Sequence, residues 1–174
     1  MKPLSAADRL VYARNGKNDM ASRPNQASPL RRLARLSRGN RHVLAEGLIT
    51  LAAASLAIRL LPFKRTVEMM QCSGGRAPPD PAAAERLIRQ CRWAVKLWAD
   101  RVPWRAVCFQ RGLALHLMLR RRGIPSTLHY GVAQGGPEGL RAHVWISSEG
   151  QPVLGFEEAA DFTCLATFPP VAAD

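Results

Sequence analysis

The hydrophobic period of the chain changes near Gly123, and that change limits the available folds. From Val43 to Arg122 apolar residues recur at helical spacing, whereas beyond Pro125 they alternate with polar ones. Helices come first and strands follow, without the interleaving that builds a parallel sheet. The expected class is therefore α+β: N-terminal helices, then a cysteine-bearing helix packed on a small antiparallel sheet.

Residues 1–27 have neither period and read as a flexible basic tail. The remainder, 28–174, reads as one domain, helical over 28–101, with the cysteine-bearing helix and sheet over 102–174. Ser28, Pro29 and Gly39 punctuate a short helix whose leucines (30, 33 and 36) share one face, with Arg31, Arg32, Arg35 and Arg38 on the rest. It reads as a solvated basic helix packing lightly on its own domain in preference to a docking or membrane-surface helix. Val43 to Leu61 forms the next helix. Its apolar run, Gly47 to Ile58, falls short of the roughly 20 residues that span a bilayer. No stable membrane insertion is expected, and the chain reads as soluble and cytoplasmic. A short helix over "FKRTVEMMQC", a loop at "SGGRAPP" and a helix capped by Asp80 with Pro81 at its first position come next. Leu87, Ile88, Cys91, Ala94, Val95 and Trp98 form its buried stripe, so Cys91 is a packing residue.

The stretch "VPWRAVCFQRGLALHLMLRRRGIPSTLHYGV", residues 102–132, carries the chemistry. A helix from Trp104 or Arg105 to Arg122, stopped by Gly123 and Pro125, places Cys108 in its first turn. Unpaired N–H groups and the positive end of the helix dipole favour thiolate there, and the same donors suit an oxyanion. "STLHYGVA", "LRAHVWISS" and "QPVLGF" then read as three strands, with Glu149-Gly150 as a two-residue hairpin turn. His143 lies on the second strand. A helix-borne cysteine before a strand-borne histidine is the order found in papain-like and transglutaminase-like enzymes, where imidazole takes the thiol proton.

Together, "LPF" at 61–63, the 102–132 stretch, "RAHVWI" at 141–146 and "GQPVLG" at 150–155 resemble the cysteine peptidases that mature lasso peptides, a branch of the transglutaminase-like superfamily. The resemblance implies a nucleophile at Cys108, a base at His143, and removal of the leader from a ribosomally made lasso precursor. It implies three partners: that precursor peptide, a separately encoded leader-recognition protein, and an ATP-dependent asparagine-synthetase-like cyclase. The arginine-rich residues 1–42 offer no strand pattern for a leader-recognition module, so the stand-alone protease form is expected. No cofactor and no metal are expected.

Related enzymes carry Asp or Asn near the place of Leu154 or Gly155, whose side chains here cannot orient an imidazole. Counting outward from the Glu149-Gly150 turn pairs Ser148 with Gln151, Trp145 with Leu154 and His143 with Phe156. Glu158 then shares the parity of His143 and is the best third catalytic residue, followed by Glu157 and Asp161.

His116 reads as a packed or half-exposed side chain and His129 as an alternating strand residue. The cysteines at 72, 91, 108 and 164 make no C-x-x-C pair, which disfavours zinc ligation and a disulfide framework. Trp104 and Trp145 are expected to wall the active-site cleft. Two other classes fit less well: another acyl-transfer enzyme (an amidase or an arylamine acetyltransferase-like protein) and a basic module binding nucleic acid. Net charge is +12 overall, but residues 1–42 hold +8 of it and lack interleaved aromatics, so no nucleic acid partner is expected.

Overall fold

The computed structural model describes residues 37–71, 76–135 and 139–170. The expected tail at 1–27 and the start of the arginine-rich helix lie outside the described residues, as does Cys72. All described elements belong to the unit Ser37–Asp174. They are α1 (Arg38–Leu60), α2 (Phe63–Gln71), α3 (Pro81–Ala99), α4 (Cys108–Arg120), β1 (Thr127–Gln134), β2 (Leu140–Ser148), β3 (Gln151–Leu154), a 3-10 turn (Ala159–Asp161) and β4 (Thr163–Phe168).

Gly39 does not stop a helix. It lies in the first turn of α1, because the Ser37 hydroxyl accepts from the Asn40 N–H at 3.3 Å and caps the helix just before it. By length and composition α1 could cross a membrane. Here its Val43, Leu44, Leu51, Ala54 and Ala57 are buried, and it packs on α3 and α4. Asp80 caps α3 as its sequence indicates, accepting from the Ala83 N–H at 2.9 Å, and Pro81 occupies the first helical position. Cys91 is fully buried on α3, and that burial pushes its thiol up to about 11.

The core surrounds α4, which packs on α1 and α3 as well as on β2 and β1. Leu51, Leu113, Leu115, Met118, Leu119, Ile124, Leu128 and Ile146 are fully buried in it. Each contributes on the order of 2 kcal/mol by removal from water. His116 is buried among them. Its Nε2–H donates to the Met70 carbonyl at 2.8 Å, leaving Nδ1 to accept from the Ser126 hydroxyl at 3.0 Å. Burial lowers its pKa to about 4, so it is a neutral core residue. Arg122, just past α4, forks onto both carboxylate oxygens of Glu46 and locks α1 to α4.

The sheet is antiparallel with strand order β3-β2-β1-β4. Thr163–Phe168 supplies a fourth strand, on the far side of β1, that the sequence reading does not anticipate. Glu149 and Gly150, at φ 49° and 77°, form the expected hairpin turn, and Ser148 pairs with Gln151. The pairing farther out differs. A bulge between Ile146 and Ser147 places Ile146, not Trp145, opposite Leu154, because Ser147 already pairs with Pro152 and Val153 is extra.

Candidate active site

Cys108 is the first residue of α4, one turn later than the sequence suggests for the helix start. Two contacts hold the preceding segment out of the helix. The Trp104 indole N–H donates to the Ser55 hydroxyl on α1 at 3.0 Å, and the Arg111 guanidinium donates back to the Ala106 carbonyl at 2.7 Å. Val107 is the N-cap, and its own N–H is satisfied by the Gln110 side chain at 2.9 Å. A valine side chain accepts nothing, so no side-chain cap bond closes the first turn. The first-turn N–H groups of α4 beside Cys108 are therefore covered by no capping side chain, and donors so placed can hold the oxygen of an attacked carbonyl.

A close approach of helix to sheet brings this thiol to β2. Gly112 lies one turn beyond Cys108, and a Cβ there would stand 2.6 Å from Cγ1 of Val144. Only hydrogen fits, and the Cys108 Sγ comes within 4.0 Å of the Ala142 carbonyl oxygen, next to His143. Cys108 is half-buried and His143 largely buried.

His143 Nε2 lies 2.8 Å from the carbonyl oxygen of Gly155. A carbonyl only accepts, so Nε2 carries the proton and Nδ1 of the neutral ring keeps the lone pair. Gly155 is at φ 75°, where L side chains are strained, and a Cβ would lie 2.8 Å from the Val144 carbonyl oxygen and 3.3 Å from Nε2. The place assigned on sequence grounds to a carboxylate is thus taken by main chain. β3 ends at Leu154, so the parity that pointed to Glu158 does not extend that far. Glu158 stands exposed before the 3-10 turn with no side-chain cap bond, and Glu157 and Asp161 are exposed as well.

Aromatic rings fix the imidazole plane. His143 lies 5.0 Å from the Phe162 ring and 6.0 Å from that of Trp145, and Trp145 in turn stacks on His129 at 5.5 Å. Trp145 is buried, so it supports His143 from within and does not wall an open cleft. Trp104 does line one, while its indole N–H is already held by Ser55. His129 bonds the Ser147 hydroxyl at 2.8 Å, and burial lowers its pKa.

Comparison with curated proteins finds no match, and comparison with solved structures finds none. A model of the transglutaminase-like superfamily matches residues 47–167, from the first half of α1 into the last strand. That span takes in Cys108, His143 and Gly155, together with the helices and strands that hold them, and the chain belongs to the transglutaminase-like superfamily.

Proposed function

We propose that this protein is a cysteine peptidase that removes the leader from a ribosomally made lasso peptide precursor. Superfamily members are typically cysteine-dependent hydrolases or transferases. The observation that carries the reading is the meeting of Cys108, at a helix start without a side-chain cap, with the strand that holds a tautomer-fixed His143.

Nδ1 of His143 takes the thiol proton, and the thiolate attacks the carbonyl carbon of the last leader residue. Helix-start N–H groups stabilise the oxyanion. The imidazolium returns its proton to the departing amine, the C–N bond breaks, and a thioester to Cys108 remains. Water, deprotonated by the same imidazole, releases the leader as a free acid and restores the thiol.

The exposed amine is then the nucleophile that an ATP-dependent asparagine-synthetase-like cyclase joins to a side-chain carboxylate. A separately encoded leader-recognition protein grips the leader and raises the effective concentration of the scissile bond near Cys108. In this reading the enzyme is soluble and cytoplasmic. Incubating precursor with the protein, with and without that partner, tests the proposal by mass spectrometry. Leader and core fragments that depend on Cys108 support it. An amide or acyl-transfer product on small substrates, with the precursor untouched, would replace it with another acyl-transfer activity.

A further inference from the structure

A cleft of about 810 Å³ opens between α1 and the segment that leads into Cys108. That volume lies within the ~300–1,000 Å³ typical of ligand sites. Trp104, Arg105 and Gln110, which bracket Cys108 in sequence, form one side, and Leu56, Ile58 and Arg59 on α1 form the other. Leu56 is 57% exposed, so apolar surface faces solvent inside the cleft.

Its charge is one-sided. Arg59 and Arg105 both reach the lining, while no Asp or Glu does among the described residues. The ion pairs of the described residues involve neither of these arginines. The cleft wall is preset, because the Ser55 bond holds the Trp104 ring and the Val107 bond holds the Gln110 amide. Planar guanidinium groups beside apolar side chains suit carboxylates flanked by apolar residues.

We infer that this cleft is a specificity subsite for an acidic, apolar-flanked segment of the peptide substrate, with Arg59 and Arg105 holding carboxylate and Leu56 and Ile58 receiving its neighbours. The inference rests on the peptidase reading and names the substrate feature that the peptidase selects.

The test uses the full chain carrying Cys108→Ala, so that nothing is consumed. Two rhodamine-labelled peptides, one alternating leucine with glutamate and one alternating leucine with glutamine, are titrated by fluorescence anisotropy at low salt. The glutamate peptide is expected to bind about fivefold tighter, as two partly exposed charge pairs allow. Arg59→Gln with Arg105→Gln should erase that preference, while Lys64→Gln with Arg86→Gln, which removes the same charge from exposed sites elsewhere, should preserve it. Equal binding of the two peptides, no binding of either, or a preference that survives the first pair and falls with the second would overturn the subsite. Precursor left uncut by the unmodified enzyme despite the expected binding pattern would sink the peptidase reading and leave the subsite standing.

Discussion

The imidazole of His143 donates its Nε2 proton to the carbonyl oxygen of Gly155 across 2.8 Å; the donor sits on β2, and the acceptor is the first residue past β3, whose pairing with β2 a bulge has shifted. The backbone there depends on glycine. Gly155→Ala is expected to destabilise the fold by about 1–3 kcal/mol through the left-handed φ and the clash with Val144. It should also lower kcat by about tenfold or more as the acceptor moves. Gly155→Asn, which tolerates this conformation better, should lose less of both. Glu158→Gln should retain near-normal kcat. Denaturant melts and steady-state cleavage rates decide the matter, and a large loss in Glu158→Gln would return the orienting role to that carboxylate.

Cys108→Ala is expected to abolish cleavage, whereas Cys91→Ala should cost about 1 kcal/mol of stability and leave the reaction running. Iodoacetamide followed by peptide mass mapping gives an independent check. Cys108 should be alkylated well before Cys91, whose thiol is fully buried and raised to about 11. Equal labelling of the two in the folded protein would contradict a tuned nucleophile.

Val107→Asp should separate stability from activity. A carboxylate at the N-cap would bond the first-turn N–H groups and stabilise α4 by about 1 kcal/mol. It would also compete with the oxyanion and repel a thiolate, so kcat should fall by at least tenfold. A higher melting temperature with unchanged kcat would show that those N–H groups play no part in the reaction.

Gly112→Ala should push α4 off β2, because the new methyl group meets Val144 at 2.6 Å. The expected cost is about 1–3 kcal/mol, with a fall in kcat as Cys108 moves from the His143 strand. Adding Val144→Ala should restore part of the activity even though that change alone opens a small cavity. Absence of any rescue in the double variant would place the effect elsewhere.

Local signals were legible in the sequence where the physics is local. Asp80 and Pro81 start α3, Glu149 and Gly150 turn the hairpin, and the spacing around Cys91 marks its buried face, each within a few residues. Distant contacts were not. The start of α4 at Cys108 depends on Ser55 holding Trp104 from another helix, and the strand register near His143 depends on a bulge opposite Pro152 and Val153. β4, half-exposed at the sheet edge, lacks a clean alternation of burial. The glycine that follows β3 directly was the available signal for Gly155, but a main-chain acceptor leaves no side chain to recognise.

Acid should weaken the fold through His116. Its pKa is about 4 when folded and about 6.5 in the unfolded chain, so between these values the unfolded state binds more protons. Stability is therefore full above pH 6.5 and lost as pH falls towards 4, by about 3 kcal/mol in all. Half-buried His129, also lowered, acts in the same direction. Urea melts between pH 4 and 8 should show this slope, and His116→Gln should flatten it.

The Gly155 carbonyl has a consequence for how such a site can change over time. No replacement of a side chain deletes a main-chain oxygen, so a scan that truncates residues one by one would pass over the acceptor that holds the His143 ring. The acceptor carries no formal charge and never ionises, which leaves it indifferent to acidity but less able than a carboxylate to steady a positive ring. The aim of that oxygen is set by the bulge and the left-handed turn, and a single acidic side chain arriving at Leu154 would offer the ring a competing, stronger anchor.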